Sequence, residues 1–215
     1  MDSSRVGIII PALNEALTIS AIVKDSSRYG VAIVVDDGSD DQTFALASQS
    51  GAIVIKHQTN KGYDLAIDTG FKKAVELGLK IAITLDADGQ HDPSLIYKFI
   101  EAIDSGSKVV VGIRNNQQRI AERIFGWYTK FFYSIEDPLC GLKAYELEIY
   151  NELGHFDSYQ SIGTELLIFA AKRKYKISQI HFDVKERSDQ SRFGSILFGN
   201  YKILRAMILS IWCIK

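Results

Sequence analysis

Cysteine is scarce in this chain: Cys140 and Cys213 are the only two among 215 residues. Two cysteines cannot build the disulfide framework of a small secreted domain or a cysteine-rich metal site, and their scarcity favours a reducing, cytoplasmic compartment. The start of the chain, Met1–Arg5, lacks the basic and long apolar regions of a signal peptide. Since no run of about 18 uninterrupted apolar residues occurs either, the sequence predicts no membrane-spanning helix.

Proline is also rare, and the net charge is close to zero. Three prolines leave no proline-rich linker, so 215 residues suit one large domain or a domain with an appendage. A net charge of −1 excludes a strong overall attraction to nucleic acid or membranes. From Lys172 onward, however, ten cationic side chains face only three acidic ones. We interpret this excess either as ordinary surface charge or as a face for anionic lipid or phosphate.

Apolar runs typical of buried strands alternate with helical patterns along the chain. The predicted strands are Val6–Ile10, Val31–Val35, Ala52–Ile55, Lys80–Leu85, Val109–Ile113 and Ile177–Val184. Helical patterns occur between the first five, and again over Gln117–Tyr133, Gly163–Lys174 and Ser195–Lys215. This alternation predicts an α/β fold in which helices flank a mostly parallel central sheet on both faces.

Polar clusters follow three of the predicted strands: Pro11–Glu15, Asp36–Ser39 and Asp86–His91. Ligands of such sheets bind beyond the carboxyl ends of the strands, so we expect the three clusters to form one site. Asp86 and Asp88 directly follow a buried strand, where two carboxylates are costly without a cationic partner. A hard divalent ion shared with phosphate oxygens is the natural partner, although a solvated aspartate-rich turn is the commoner fate of such a pair.

The polar clusters resemble a known family when they are taken in order. Ile10–Glu15, Val35–Ser39, Asn60–Gly62, Asp86–His91 and Asp137–Ala144 are similar to motifs of family 2 glycosyltransferases of the GT-A fold. Within that family the chain looks most like the dolichol-phosphate mannose synthases and the bacterial polyprenyl-phosphate glycosyltransferases. The match extends over about residues 6–192. Each motif is weak alone, but five in order at plausible spacing are a strong signal.

The resemblance implies a donor site for a nucleoside-diphosphate sugar. It assigns nucleotide-sugar binding to Pro11, Asn14, Glu15, Asp37, Lys61, Gly62, Asp86 and Arg114, with Asp37 on the base or ribose side. It assigns Mg²⁺ or Mn²⁺ to Asp86 and Asp88, with Gln90 as a further ligand. The ion would neutralise charge that grows on the departing diphosphate. We interpret His91 as a packing residue or an outer neighbour of the ion more readily than as a ligand, and Asp36 as a residue that holds its loop.

Which residues act on the acceptor depends on its chemistry. A hydroxyl acceptor needs a general base, for which Asp137 and Glu165 are the candidates. A phosphate monoester is already largely anionic and needs cations instead, for which the candidates are Arg114, Arg119, Arg123, Arg187 and Arg192. The stretch Arg187–Gly194 departs from the family pattern, because it lacks an internal glycine and is one residue shorter. Arg187, together with Asp88, Asp137 and Glu165, completes the predicted catalytic set.

The sequence thus predicts an inverting glycosyltransferase that moves a sugar to a polyprenyl phosphate or to a growing cell-surface glycan. A sugar nucleotidyltransferase and an inactive nucleotide-sugar-binding module are the alternatives. Residues 1–194 are expected to form the catalytic domain, and residues 195–215 an amphipathic appendage. That segment could lie on a membrane, pack on the domain or meet a partner, which would make the protein cytoplasmic or peripheral to the cytoplasmic membrane face.

Overall fold

The computed structural model describes residues 2–115, 119–184 and 196–213. Its strands are β1 (Val6–Ala12), β2 (Val31–Asp36), β3 (Ile53–Lys56), β4 (Ile81–Thr84), β5 (Val109–Arg114), β6 (Lys143–Glu146) and β7 (Ile177–Phe182). Its helices are α1 (Ile19–Ser26), α2 (Thr43–Gln49), α3 (Tyr63–Glu76), α4 (Ile96–Asp104), α5 (Ile120–Tyr133), α6 (Leu147–Leu153), α7 (Glu165–Lys172) and α8 (Ile196–Trp212). Short 3₁₀ turns cover Ser3–Arg5 and Pro93–Leu95.

The seven strands form one sheet in the order β3-β2-β1-β4-β6-β5-β7. Strand β1 pairs in parallel with β2 and β4, β2 pairs in parallel with β3, and β5 pairs in parallel with β7. Strand β6 is antiparallel to both of its neighbours, β4 and β5. The predicted α/β fold with a mostly parallel sheet is therefore confirmed, with one reversed strand inserted near its middle.

Two apolar cores lie on opposite faces of the sheet because successive strand residues point in opposite directions. Ile8 and Ile10 of β1 pack with α1, α2 and α4, whereas Ile9 packs with α3, α5, α6, α7 and α8. The continuous burial of the central strands follows from this double cover. The predicted layers of helices are present on both faces.

Strand β1 extends two residues beyond its predicted end, through Pro11 to Ala12. Its pairing with β4 covers only Val6–Ile9, while its pairing with β2 continues to Ala12. Proline lacks an N–H group, and Pro11 is tolerated because it lies beyond the part of β1 that pairs on both sides. The chain then turns at Asn14, whose φ of 52° is one that asparagine adopts more easily than most residues.

The C-terminal helix α8 packs against α5 and buries Ile203 and Ala206 in the same core as α3 and α7. Lys172 Nζ also donates to the carbonyl of Ser210 on α8, at 3.4 Å. One face of the predicted appendage is thus part of the core. The predicted division at residues 194 and 195 lies outside the described residues. Within the described ranges, no helix combines the length and apolar character needed to cross a bilayer.

Candidate active site

The loops that follow β1, β2 and β4 are tied together by hydrogen bonds between side chains and backbone. The Asn14 amide donates to Ser39 Oγ at 2.8 Å, and the Asp40 amide donates to Asn14 Oδ1 at 2.9 Å. Thr18 Oγ1 donates to the Ala87 carbonyl at 2.6 Å, which joins the first loop to the third. The three polar clusters therefore lie at one edge of the sheet, which we call the donor edge.

Glu15 belongs to the same loop and is almost completely buried. Its amide donates to Thr43 Oγ1 at 2.8 Å, at the start of α2. This bond holds the backbone of the first loop against the second. Pro11 and Asn14 thus lie on a segment whose conformation is held from both sides.

Asp37 pins a fourth segment, Asn60–Gly62, to the donor edge. Its carboxylate accepts the Lys61 amide at 2.9 Å and the Gly62 amide at 2.8 Å, and it lies 2.6 Å from His57 Nδ1. Asp36 is fully buried and accepts the Ser39 amide at 2.9 Å, so it holds its own loop. The structure thus brings Asp37, Lys61 and Gly62 together, with Asp37 bonded to the protein backbone.

Asp86 lies against the backbone of the turn Asp137–Gly141. A Cβ atom on Gly141 would come within 2.0 Å of Asp86 Oδ2, so only glycine permits this approach. Thr84 sets the arrangement, because its Oγ1 donates to the Gly141 carbonyl at 2.6 Å and accepts the Lys143 amide at 3.2 Å. Pairing of β4 with the reversed strand β6 therefore places the turn beside the Asp86 carboxylate.

Asp88 lies two residues further along the same loop. Its Oδ1 accepts the Gln90 amide at 3.0 Å, and the intervening Gly89 has a φ of 78° that favours glycine. His91 is buried and packs edge-on against Phe182, with ring centroids 5.5 Å apart. Its Nδ1 has no hydrogen-bond partner and lies 3.7 Å from Asp86 Oδ2, a separation too long for a hydrogen bond.

Two residues close to Asp86 were not predicted as site residues. Lys143 is buried, and its Nζ donates to the Gly163 carbonyl at 2.9 Å. Burial lowers the pKa of Lys143 to about 8, although the nearby Asp137 and Asp86 charges act in the opposite direction. Burial of the phenol end of Tyr63, and next the charges of Asp86 and Asp64, raise the pKa of Tyr63 well above its ordinary value. Lys143 belongs to the family motif Asp137–Ala144, but its burial beside Asp86 depends on the pairing of β4 with β6.

Arg114 and Asp137 form a bidentate ion pair at the end of β5. Arg114 Nε and Nη2 donate to the two carboxylate oxygens at 2.7 and 2.9 Å, and the Arg114 amide adds a bond of 3.2 Å. Burial opposes the charge of Arg114, but these bonds and the Asp137 charge outweigh it and raise the pKa of Arg114. Both oxygens of Asp137 are therefore engaged by Arg114, and its expected role as a general base for a hydroxyl acceptor stays a prediction.

Glu165 is also held by its own surroundings. Its buried carboxylate accepts Ser158 Oγ at 2.8 Å and lies 3.1 Å from His155 Nε2. It stands in the first turn of α7 and fastens the loop that precedes that helix. These partners are residues of its own segment, and the expected role of Glu165 as a general base likewise stays a prediction.

The predicted cations of the acceptor side are only partly described. Arg119 stands at the N-cap position of α5, and Arg123 stands exposed one turn later. A cavity of about 310 Å³ is lined by Arg114, Arg123, Trp127, Lys130 and His181, among others. The structure therefore brings Arg123 near Arg114. Arg187 and Arg192 lie outside the described residues.

A divalent ion fits the chemistry of the donor edge. Among the described residues, no group of three or more His, Cys, Asp and Glu side chains is arranged to hold an ion. Asp86 and Asp88 nevertheless offer carboxylate oxygens, which Mg²⁺ and Mn²⁺ prefer. In the part of the chain that the structure describes, His91 Nδ1 near Asp86 has no hydrogen-bond partner, and the Gly141 backbone lies directly against the Asp86 carboxylate. The pair thus suits an ion that also takes ligands from a bound diphosphate and from water.

Comparisons with known proteins agree with this geometry. The family model described as glycosyl transferase family 2 matches residues 7–163. A UDP-N-acetylglucosamine–dolichyl-phosphate N-acetylglucosaminyltransferase of Methanococcus voltae is 33% identical, over 97% of this chain and 97% of the relative. A dolichyl-phosphate hexose transferase of Haloferax volcanii is 25% identical, over 90% of this chain and 89% of the relative.

A solved structure extends the agreement to the fold. Glucosyl-3-phosphoglycerate synthase of Mycobacterium tuberculosis, in complex with Mn²⁺ and UDP-glucose, superposes with a TM-score of 0.78. The match covers 99% of this chain and 80% of that one at 21% identity, which establishes a shared GT-A architecture. The expected family and its polyprenyl-phosphate branch are confirmed by the relatives. Since the family model covers most of the chain, the protein belongs to glycosyltransferase family 2 and is a glycosyltransferase.

Proposed function

We propose that the protein transfers a sugar from a nucleoside-diphosphate sugar to a polyprenyl phosphate. In this reaction the bond between the sugar's anomeric carbon and the diphosphate breaks, and a bond from that carbon to an acceptor phosphate oxygen forms. Attack from the opposite face inverts the anomeric configuration. The two relatives named above act on dolichyl phosphate by their names, which supports a lipid phosphate acceptor here.

The donor edge supports the nucleotide half of this proposal. Pro11, Asn14 and Glu15 would lie along the nucleotide, and Asp37 holds the Lys61–Gly62 backbone where it could approach the diphosphate. Asp86 and Asp88 would hold Mg²⁺ or Mn²⁺, with Gln90 as a further ligand. When bound, the ion stabilises negative charge on the departing nucleoside diphosphate. The solved relative was obtained with Mn²⁺ and UDP-glucose, which supports this type of donor site.

The environment of the two candidate bases favours a phosphate acceptor over a hydroxyl. A sugar hydroxyl must lose its proton to a base as it attacks, whereas a phosphate monoester carries its negative charge already. Asp137 is engaged by Arg114, and Glu165 by Ser158 and His155. Arg123, on the cavity that also touches Arg114, offers the charge that an incoming phosphate needs. Arg119 and the predicted Arg187 and Arg192 belong to the same proposal.

Neither alternative function gains support. A sugar nucleotidyltransferase typically carries a glycine-rich loop with cations after its first strand, and the segment Pro11–Glu15 has neither. An inactive binding module is expected to have lost metal carboxylates, but both Asp86 and Asp88 are present. The curated relatives are named as transferases. We therefore propose a catalyst that works at the cytoplasmic side of a membrane, where its lipid acceptor is anchored.

The observation that carries the proposal is the Asp86 carboxylate held against Gly141 at the edge where the three loops meet. The test is release of nucleoside diphosphate from UDP-N-acetylglucosamine, UDP-glucose or GDP-mannose, with undecaprenyl phosphate and either Mg²⁺ or Mn²⁺ present. We expect one donor to turn over, and we expect chelation to stop the reaction. Asp88→Asn should lower turnover by about 100-fold or more, because it removes one charge from the ion site.

Asp92→Asn is the matched control. Asp92 stands four residues further on and accepts the Ser94 amide at 2.9 Å, a bond that asparagine retains. Its turnover should stay close to that of the unaltered protein. Folded protein that binds none of the donors in the presence of either ion would overturn the proposal. Full activity in Asp88→Asn would refute the role of that carboxylate.

A further inference from the structure

His57 is a buried histidine that lies between the donor edge and helix α3. Only 6% of its surface is exposed. Its Nδ1 lies 2.6 Å from Asp37 Oδ1, and its Nε2 lies 3.0 Å from Thr69 Oγ1 on α3. Its backbone amide donates to the Asp36 carbonyl at 2.9 Å, directly after the end of β3. One imidazole ring thus joins the ends of β2 and β3 to α3.

The partners of the two ring nitrogens determine where His57 carries a proton. An ionised carboxylate only accepts hydrogen bonds, so the contact with Asp37 requires a proton on Nδ1. The Thr69 hydroxyl can either accept from Nε2 or donate to it, so this second contact is compatible with both states of that nitrogen. His57 is therefore assigned as a hydrogen-bond donor to Asp37, on the evidence of its partners.

His57 completes the set of donors around the Asp37 carboxylate. Oδ1 accepts His57 Nδ1 and the Lys61 amide, and Oδ2 accepts the Gly62 amide at 2.8 Å. A carboxylate has about four acceptor positions, shared equally by its two oxygens. The bonds from the described residues therefore fill Oδ1 and leave one acceptor position on Oδ2. Because the ring engages only Oδ1, it fixes the rotation of the carboxylate and decides which oxygen meets which amide.

The segment Asn60–Gly62 depends on this carboxylate for its position. A Cβ atom on Gly38 would come within 2.9 Å of the Asn60 nitrogen, so the segment packs directly on the loop that follows β2. The Gly62 amide also donates to Asn60 Oδ1 at 2.9 Å, but that bond stays within the segment. Asp37 is thus the side chain that ties both amides to β2, and a rotated carboxylate would release both of them.

We propose that His57 is a positioning residue of the donor site, which holds Asp37 in the orientation that fixes Asn60–Gly62 and leaves an acceptor position of Oδ2 to the nucleotide. This inference rests on the proposed function, since it takes the donor edge as a nucleotide site. His57 acts through Asp37 and not on the reacting atoms. Loss of the Nδ1 donor should therefore weaken nucleotide binding and leave the chemical step largely unchanged.

Two substitutions of His57 separate the two hydrogen bonds of its ring. The amide nitrogen of an asparagine lies close to the place of histidine Nδ1, whereas that of a glutamine lies close to the place of Nε2. His57→Asn can therefore keep the bond to Asp37, and His57→Gln can keep only the bond to Thr69. Both variants lose the ring, so each is the matched control of the other. Thr69→Val removes the hydroxyl contact and leaves Nδ1 with its partner.

The experiment measures the dissociation constants of UDP and GDP for the full chain with Mn²⁺ present, and KM and kcat for the donor that turns over. For the nucleotide that the unaltered protein binds more tightly, His57→Gln should raise the dissociation constant at least about tenfold, since Asp37 loses a hydrogen bond to a charged group. The donor KM should rise with it, and kcat should change much less. His57→Asn and Thr69→Val should stay close to the unaltered protein. A merely structural role would instead reduce the amount of active protein, which lowers the apparent kcat and leaves KM unchanged.

Nitrogen-15 NMR of the unaltered protein supplies a test that does not require any variant to fold. The imidazole of His57 should carry a proton on Nδ1, and a ring protonated only on Nε2 would overturn the proposal. So would equal nucleotide binding by His57→Gln and the unaltered protein, or equal losses in His57→Gln and His57→Asn. Failure of the unaltered protein to bind either nucleotide would overturn this proposal together with the donor site. The expected binding constants in a protein that transfers no sugar would refute only the transferase.

Discussion

The donor edge and the exposed side of helices α5 and α8 differ in how far their polar side chains are fixed by the rest of the protein. At the donor edge, buried Asp37 and the bonds of Thr18 and Asn14 join separate loops through the backbone. Helices α5 and α8 instead expose Arg123, Lys130 and several aromatic rings on their outer side. The first arrangement is preorganised and suits a small, well-defined donor. The second suits a partner that supplies negative charge and apolar surface when it arrives.

The largest expected effect concerns the contact between Gly141, in the turn Asp137–Gly141, and the Asp86 carboxylate. Gly141→Ala would place a Cβ atom 2.0 Å from Asp86 Oδ2, so the carboxylate or the turn must move. Because misplacing a catalytic group by about 1 Å can cost 100-fold in rate, we expect donor turnover to fall by about that factor. Gly51→Ala is a control outside the donor edge: its Cβ meets nothing within 4 Å, and its φ of 93° makes the change a cost to stability and not to the site. Equal turnover in both variants would show that the donor edge tolerates displacement.

The next effect distinguishes a structural role of Asp137 from a role as general base. Asp137→Asn should lower the free energy of unfolding by about 3 kcal/mol, because it breaks a buried bidentate pair and leaves Arg114 without its counter-charge. Chemical denaturation checks this value. If Asp137 is structural, the pH profile of transfer by the folded variant keeps its acidic limb. If the variant no longer loses transfer activity at acidic pH, Asp137 acts as the general base.

A smaller effect should appear on the acceptor side. Arg123→Gln should raise the KM for polyprenyl phosphate about tenfold, since a hydrogen bond to a charged group contributes roughly 1.5–3 kcal/mol. The KM for the donor should change much less. Lys98→Gln, at an exposed position of α4, is the matched loss of one positive charge. A change confined to the KM for the donor would instead assign Arg123 to donor binding.

The last expected effect leaves turnover unchanged and concerns stability: a pH dependence next to the donor edge. Asp64 accepts the amides of Gly163 and Ile162, and burial, followed by the charge of Asp157, raises its pKa to about 7. A raised carboxyl pKa makes the folded state bind the extra proton. Its contribution to stability is therefore full below pH 4 and is lost between about pH 4 and 7, with a slope of at most about 1.4 kcal/mol per pH unit.

Asp64→Asn should flatten this part of the stability profile, measured by denaturation across that pH range. Lys143 also faces the site of Asp64 and lowers its pKa slightly, but burial lowers the pKa of Lys143 only to about 8, so it stays protonated through the range. An unchanged profile in the variant would show that Asp64 titrates normally.

Local pattern predicted the parallel framework well, because buried parallel strands are continuous apolar runs. Strand β6 and helix α6 were not predicted. β6 has only four residues, with Lys143 and Glu146 at its ends, so its sequence shows no apolar run. Its place between β4 and β5 comes from antiparallel pairing with strands far away in sequence. The same pairing buries Lys143, which explains why its position beside Asp86 was missed.

The partner of the Asp137 carboxylate was not predicted for a similar reason. A carboxylate in a motif can be recognised from sequence, but its hydrogen-bond partners cannot when they come from other segments. Arg114 reaches Asp137 across 23 residues. Whether a carboxylate is free to accept a proton depends on such contacts.

The sequence by itself determined the α/β framework, the family and the acidic edge, because strand period and motif residues are local properties. Only the tertiary structure decided which of those residues touch. It placed Gly141 against Asp86, paired Asp137 with Arg114, and turned Glu122 inward while the aromatic stripe of α5 faced out. These outcomes depend on strand order and helix packing, in which residues distant along the chain compete for the same partners and the same buried space.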